Sequence, residues 1–149
     1  ASVINRVLAD KPADMRIGMH LCRGNKQSYW QAEGSYDLVA DTLFNEVNAD
    51  CYFLEYDTPR AGDFAPLKYL PKNKTAILGL VSTKTPELES KDDLKKRIDE
   101  AAAMADLDNL ALSPQCGFAS DHHGNQLSLD DQIAKLRLVV ETAAEIWPK

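Results

Sequence analysis

Residues 75–81 are Thr-Ala-Ile-Leu-Gly-Leu-Val, a short and almost continuously apolar run that predicts a buried strand. Ser90 and Asp93, three residues apart, then predict a helix start, and an apolar stripe at helical spacing follows them. Residues 110–113 predict the next strand, which Pro114 ends. A strand, a helix and a second strand in this order indicate a parallel sheet, because the helix returns the chain to the edge where the next strand begins.

The same alternation extends to both sides of this unit. Strands are predicted over residues 16–22 and 51–56, and helices over 1–10, 35–47, 64–70 and from Ser128 almost to the C-terminus. The apolar faces expected of the longer helices are Val39, Leu43 and Val47 in the first and Ile133, Leu136, Val140, Ala144 and Trp147 in the last. This order predicts an α/β fold of four βα units, either a small open sheet or half of a closed barrel.

The composition limits the classes of function. The chain has 149 residues, 44% of them apolar, which is enough for one domain core but short of the roughly 250 residues of a complete (β/α)8 barrel. A net charge of -6, with no basic cluster larger than residues 95–97, argues against nucleic acid and anionic membranes as partners. Three widely spaced cysteines do not form a disulfide framework, which favours a cytoplasmic location. We expect residues 1–149 to form a single unit.

Residues of metal-ligating types lie at, or just past, the ends of three predicted strands. His20 and Cys22 close the first strand, Glu55 lies near the end of the second, and Cys116 lies just past the fourth. One imidazole, two thiolates and one carboxylate suit the tetrahedral shell of Zn²⁺. Cysteines at strand ends are also common as small core hydrophobes. A glutamate in an apolar strand is costly to bury unless it is paired or binds a metal, so both interpretations stay open on spacing alone.

Three motifs around these residues resemble a known family. Met19-His20-Leu21-Cys22, Phe53-Leu54-Glu55-Tyr56 and Ser113-Pro114-Gln115-Cys116-Gly117 are similar to the zinc-ligand motifs of cobalamin-independent methionine synthases, in particular the shorter single-barrel members. The resemblance implies the C-terminal half of a TIM (β/α)8 barrel, with Zn²⁺ held by His20, Cys22, Glu55 and Cys116. It also implies that the chain pairs with a missing N-terminal half-barrel or with another copy of itself.

The activity implied by the resemblance is transfer of a methyl group to the zinc-activated thiolate of homocysteine, which gives methionine. Two thiolates and one carboxylate around Zn²⁺ leave the site with a net negative charge, which keeps a bound thiolate electron-rich and nucleophilic. In the full two-domain enzymes the third of these strands ends in an Asp-x-His-Ser-Pro motif whose histidine helps to protonate the folate leaving group. Residues 79–86 contain no histidine, so the methyl donor stays open.

Polar residues near these strand ends are candidates for binding the substrate. Asp57 and Arg60 follow Glu55, where they can meet a polar amino acid, and Ser82 follows the third strand. For Lys84 an exposed loop position is favoured over a role at the site. His122 and His123 precede Gly124-Asn125, which predicts an exposed turn.

Two other functions remain alternatives. One is alkyl transfer to another small thiol, as in coenzyme M transferases. The other is a non-catalytic half-barrel with a closed, structural zinc site, in which all four ligand positions are taken by the protein.

Overall fold

A computed structural model describes residues 1–148 and contains four parallel strands in one sheet, in the order β1-β2-β3-β4. This confirms the predicted parallel α/β fold. The strands are β1 Gly18–Leu21, β2 Cys51–Glu55, β3 Thr75–Val81 and β4 Leu110–Pro114, and the α-helices are α1 Ser2–Leu8, α2 Lys91–Ala102 and α3 Leu129–Ile146. Shorter helical turns are the π-helix Thr42–Glu46 and the 3₁₀ helices Pro59–Ala61, Ala65–Tyr69 and Leu107–Asn109.

The register of the strands divides the sheet into two different faces. On the outer face the aligned residues Tyr52, Ala76, Leu78 and Leu112 are at most 9% exposed. On the inner face the aligned residues are only partly covered: His20 is exposed, Phe53 is 38% exposed, and Ile77, Ala111 and Ser113 are intermediate. The hydrophobic core of the chain therefore lies on one side of the sheet.

The helices differ from the sequence prediction in two places. Between β1 and β2 the predicted helix becomes short turns and a π-helix, which buries Ala40, Leu43, Phe44 and Val47 and leaves Val39 48% exposed. The expected apolar face of α3 is also mostly wrong: Trp147 packs against the core, but otherwise Leu138 and the polar residues Lys135 and Thr142 face it. The apolar residues Ile133, Leu136 and Val140 are 41–67% exposed.

Buried hydrogen bonds explain the orientation of α3. Lys135 has a fully buried side chain whose Nζ donates to Glu89 Oε2 at 3.0 Å and to the carbonyl of Glu87. Helix α3 starts at the predicted capping box. The Ser128 hydroxyl accepts from the Asp131 backbone N–H, and the Asp131 carboxylate accepts from the Ser128 backbone N–H. Its apolar side instead borders an open cavity of about 680 Å³ lined by Leu112, Val139, Val140, Ala143, Ala144 and Trp147.

The two edge strands of the sheet are β1 and β4. Each has a strand neighbour on one side only, as expected for the first and last strands of an unclosed series of βα units. In the described part of the chain, no helix has both the length and the apolar character needed to cross a membrane.

Candidate metal and substrate site

The carboxyl ends of β1 and β4 bring three metal-ligating side chains together. Donor atoms of His20, Cys22 and Cys116 all lie within 4.8 Å of one another, and we call these three residues the thiol cluster. Sγ of Cys116 is 3.6 Å from Nε2 of His20. The i, i+2 spacing of His20 and Cys22 predicts that both side chains lie on one face of the strand, and their donor atoms do lie close together.

A close approach of β2, β3 and β4 positions Cys116. The pairing of β3 with β4 shifts between Gly79 and Val81, and the backbone N–H of Gln115 donates to the Val81 carbonyl at 2.8 Å. A Cβ on Gly79 would lie 2.9 Å from both Gln115 Cα and the Leu54 carbonyl oxygen, so only glycine fits. The chain after β4 can therefore fold over the end of the sheet and place Cys116 opposite His20.

The environment of Cys116 is poorly solvated. Burial raises the pKa of its thiol to about 12, and the neighbouring Cys22 contributes in the same direction. Nε2 of Gln115 donates to the Cys116 sulfur at 2.8 Å, an interaction that favours a sulfur atom carrying negative charge. A cation near the two sulfur atoms would compensate their charge in this setting.

Glu55 is buried beside the thiol cluster but makes different contacts. Its carboxylate accepts from the Arg23 backbone N–H and from Arg60, and it lies 3.5 Å from Lys84 Nζ. Among the described residues, the thiol cluster, whose donor atoms lie within 4.8 Å of one another, does not include the Glu55 carboxylate. Glu55 thus lies at the predicted end of its strand, where it is held by cations of the protein.

Glu55 belongs to a set of four buried charges that we call the ion cluster: Glu55, Asp57, Arg60 and Lys84. The side chains of the two acids are 0% exposed, and those of Arg60 and Lys84 are 8% and 6% exposed. Lys84 Nζ lies 3.0 Å from Asp57 Oδ2. The expectation that Lys84 is an exposed loop residue is therefore wrong, because the two carboxylates draw its ammonium group into the site.

Two of the three predicted substrate residues line one cavity, and the third, Asp57, does not. Arg60 and Ser82 line a cavity of about 350 Å³ together with Ser28, Trp30, Thr58 and Lys84. Asp57 is bonded to Lys84, and the Ser82 hydroxyl accepts from the Lys84 backbone N–H at 3.3 Å. A second cavity of about 350 Å³, on the inner face, is bordered by His20, Phe53, Ser113 and Cys116.

Tyr36 is a structural residue of the site that the sequence pattern does not identify. Its buried hydroxyl accepts from the Glu55 backbone N–H at 2.8 Å and donates to the Leu21 carbonyl at 3.1 Å. Burial raises the pKa of this phenol to about 12, so the hydroxyl keeps its proton. The Tyr36 hydroxyl therefore joins the carboxyl end of β1 to the carboxyl end of β2, beside Glu55.

His122 and His123 lie outside the thiol cluster. Both are exposed, as predicted, and their rings pack with centroids 3.7 Å apart. Their donor atoms and that of Asp121 form a separate group, and Asp121 accepts from the Gln27 side chain at 3.1 Å.

Comparisons with known proteins agree with this architecture. The family model described as "Cobalamin-independent synthase, Catalytic domain" matches residues 4–145. The uncharacterized protein YxjG of Bacillus subtilis is 52% identical over 148 residues, which cover 99% of this chain and 39% of that protein. The methionine synthase of Pyrococcus furiosus is 28% identical over 136 residues, or 91% of this chain and 34% of that protein.

Solved structures show the same fold. A proposed vitamin-B12-independent methionine synthase from Listeria monocytogenes has a TM-score of 0.71 and 37% identity, over 99% of this chain and 40% of that one. A B12-independent methionine synthase from Shewanella sp. W3-18-1, in complex with selenomethionine, has a TM-score of 0.76 at 19% identity, over 97% of this chain and 41% of that one. These neighbours are barrel domains, and the chain spans about two fifths of their length. The chain belongs to the catalytic-domain family of the cobalamin-independent methionine synthases.

Proposed function

We propose that the chain carries the metal half of a zinc-dependent S-methyltransferase that transfers a methyl group to homocysteine. The observation that carries the proposal is the convergence of His20, Cys22 and Cys116 within 4.8 Å, from the first and last strands of the sheet. Residues so far apart in sequence form a compact nitrogen and sulfur donor set, which is the chemistry that Zn²⁺ prefers. Family membership supports methyl transfer as the reaction.

The donor set fits a zinc ion. His20, Cys22 and Cys116 would hold it, and Glu55 would supply an oxygen ligand from the neighbouring strand. Zn²⁺ bound there would favour the thiolate form of an incoming thiol at neutral pH. The three free cysteines of the chain suit a reducing compartment, and we place this chemistry in the cytoplasm.

The residues around the donor set orient and shield the acceptor. Phe53 forms an apolar wall of the cavity beside His20 and Cys116, which limits the access of water to the reacting sulfur. Tyr36 and the Arg23 backbone N–H hold the end of β2 and the Glu55 carboxylate in place. The transfer itself forms a carbon–sulfur bond and breaks the bond between the methyl group and its donor, whose identity stays open.

We further propose that residues 1–149 form the second half of a (β/α)8 barrel. The half-open inner face, the two edge strands and the apolar cavity beside α3 all lie where additional βα units would pack. The occupant is the missing N-terminal half-barrel or a second copy of the chain. Light scattering of the purified chain, alone and mixed with the corresponding half of a relative, distinguishes these two partners.

Metal analysis tests the zinc site. Protein purified without chelators should contain about one zinc per chain, and Cys116→Ser should lose most of that metal and the methyl transfer to homocysteine. Cys51→Ser is the matched control, because Cys51 begins β2 at the opposite end from Glu55 and should keep both. Full metal content and full activity in Cys116→Ser would refute the proposal.

A further inference from the structure

A series of four hydrogen bonds ends at the sulfur of Cys116. The backbone N–H of Ser28 donates to Asn25 Oδ1 at 3.2 Å, and Nδ2 of Asn25 donates to the Thr83 hydroxyl at 3.2 Å. The Thr83 hydroxyl donates to Gln115 Oε1 at 3.2 Å, and Nε2 of Gln115 donates to the Cys116 sulfur at 2.8 Å. We call this the donor series, and it joins the loop after β1 and the loop after β3 to the end of β4.

The direction of the donor series is fixed at its start. A backbone N–H can only donate, so the Asn25 amide turns its oxygen to Ser28 and its nitrogen to Thr83. The Thr83 hydroxyl accepts from Asn25 and gives its one proton to Gln115 Oε1. The Gln115 amide then has only N–H groups to offer to Cys116. The sulfur at the end of the series is therefore placed to accept, which favours a charged thiolate over a thiol.

The last two side chains before the sulfur are buried. Thr83 is 0% exposed and Gln115 is 2% exposed, so water has little access to either. In such a poorly solvated setting each hydrogen bond polarises the next, which strengthens the final donor of the series. The series ends at Cys116 and thereby distinguishes it from Cys22, whose side chain is exposed.

A metal site for thiol methylation contains more than one nucleophilic sulfur. In the proposed function the incoming thiolate would bind beside Cys22 and Cys116, so three sulfur atoms compete for one methyl group. A hydrogen bond to a thiolate withdraws charge from the sulfur and lowers its basicity, and the nucleophilicity of a thiolate falls with its basicity. With a Brønsted coefficient of about 0.4–0.5, one pKa unit of basicity corresponds to about threefold in rate.

We propose that Gln115 is a positioning residue that keeps Cys116 a metal ligand and prevents it from acting as a methyl acceptor. The amide N–H lowers the nucleophilicity of the Cys116 sulfur, so the methyl group goes to the incoming thiolate. A lone pair of that thiolate forms the new carbon–sulfur bond, and the electrons of the broken bond leave with the methyl donor. This role of Gln115 rests on the proposed function.

Alkylation by iodoacetamide tests the reactivity of Cys116. The thiolate bonds to the reagent carbon as iodide leaves, and peptide mass spectrometry of the zinc-loaded protein compares the rate at Cys116 with that at Cys22. Gln115→Leu should raise this ratio about threefold, as expected for a change of about one pKa unit in basicity. Gln126→Leu is the matched control, because Gln126 is an exposed glutamine of the loop after β4, and it should leave the ratio unchanged. An unchanged ratio in zinc-loaded Gln115→Leu would overturn the proposal.

Thr83→Val separates the hydrogen bond from a steric effect at position 115. This variant keeps Gln115 and the shape of the Thr83 side chain but removes the hydroxyl that polarises the amide. It should raise the Cys116 ratio in the same direction and by less than Gln115→Leu does. It also decides the question if Gln115→Leu does not fold. A wild-type ratio in Thr83→Val, beside a raised ratio in Gln115→Leu, would show that Gln115 only blocks access to the sulfur.

Cobalt spectroscopy gives a readout that does not depend on reactivity. In the Co²⁺-substituted protein the sulfur-to-cobalt charge-transfer band should move to lower energy in Gln115→Leu and, by less, in Thr83→Val. The reason is that a thiolate without the hydrogen bond holds its electrons less tightly. Gln126→Leu should keep the wild-type band. Wild-type bands in both Gln115→Leu and Thr83→Val would refute the role of Gln115.

The outcome for Gln115 is separable from that for the proposed function. Zinc binding and methyl transfer to homocysteine, with an unchanged alkylation ratio in Gln115→Leu, would leave the proposed function and refute the role of Gln115. A raised ratio and a shifted cobalt band without transfer to homocysteine would do the opposite. A wild-type protein that binds neither zinc nor cobalt would refute both.

Discussion

Lys84→Met should lower the free energy of unfolding by about 3–5 kcal/mol, the usual cost of removing one partner from a buried ion pair. Lys84 is 6% exposed, and its Nζ lies 3.0 Å from Oδ2 of the fully buried Asp57. The other oxygen of Asp57 has no hydrogen-bond partner, so the variant leaves this carboxylate without a cation bonded to it. Glu55 keeps Arg60, and methionine preserves much of the lysine stem, so the loss comes mainly from Asp57.

Urea unfolding followed by circular dichroism measures this effect. The matched control is Lys91→Met, because Lys91 lies 2.8 Å from Glu145 and 3.4 Å from Glu141 on the surface, where ion pairs should contribute little. Adding Asp57→Asn to Lys84→Met removes the uncompensated charge and should restore more than half of the lost stability. The reasoning fails if Lys84→Met matches the surface control, or if the second substitution restores nothing.

Further predictions concern the backbone, a cap and one surface carboxylate. Gly79→Ala should cost about 1–3 kcal/mol in urea unfolding because its Cβ would meet backbone atoms at 2.9 Å, whereas Gly117→Ala meets nothing within 4 Å and should be tolerated. Ser128→Ala should cost about 1 kcal/mol through the lost cap, and an unchanged unfolding midpoint would contradict this. A hydrogen bond from Lys11 lowers the pKa of Asp50 from its ordinary 3.8, so the stability that Asp50 contributes is complete above that value and is lost as the pH falls through the lowered pKa. An Asp50→Asn variant should lose this acid dependence in pH-dependent melting.

The sheet was predictable from the sequence because its strands are short apolar runs separated by polar turns. Strand β3 has the predicted bounds, Thr75–Val81, and the others differ by a few residues at their ends. The orientation of α3 was not predictable from hydrophobicity. Its core side contains Lys135, whose burial depends on oxygen atoms of Glu87 and Glu89 more than forty residues earlier.

The candidate site likewise contains residues whose positions could be predicted from the sequence and one, Lys84, whose position could not. Proximity of His20, Cys22 and Cys116 follows from the rule that functional residues collect at the carboxyl ends of parallel strands. The burial of Lys84 does not follow from any local pattern, since a lysine among serine and threonine residues is typical of an exposed loop. It depends on Asp57, which only the pairing of β2 with β3 brings within reach.

In the proposed barrel, the outer face of the sheet would serve folding and the inner face would serve assembly. The outer face has its own buried core, including Tyr52, Leu54 and Leu78. On the inner face, Phe53 keeps 38% of its surface exposed beside the cavity that His20 and Cys116 line. Additional barrel strands would bury this apolar surface, at about 25 cal/mol per Å², and would exclude water from the same cavity. Closure of the barrel and the low polarity of the site would therefore come from the same contacts, so a polar residue at position 53 should weaken both while leaving the outer core intact.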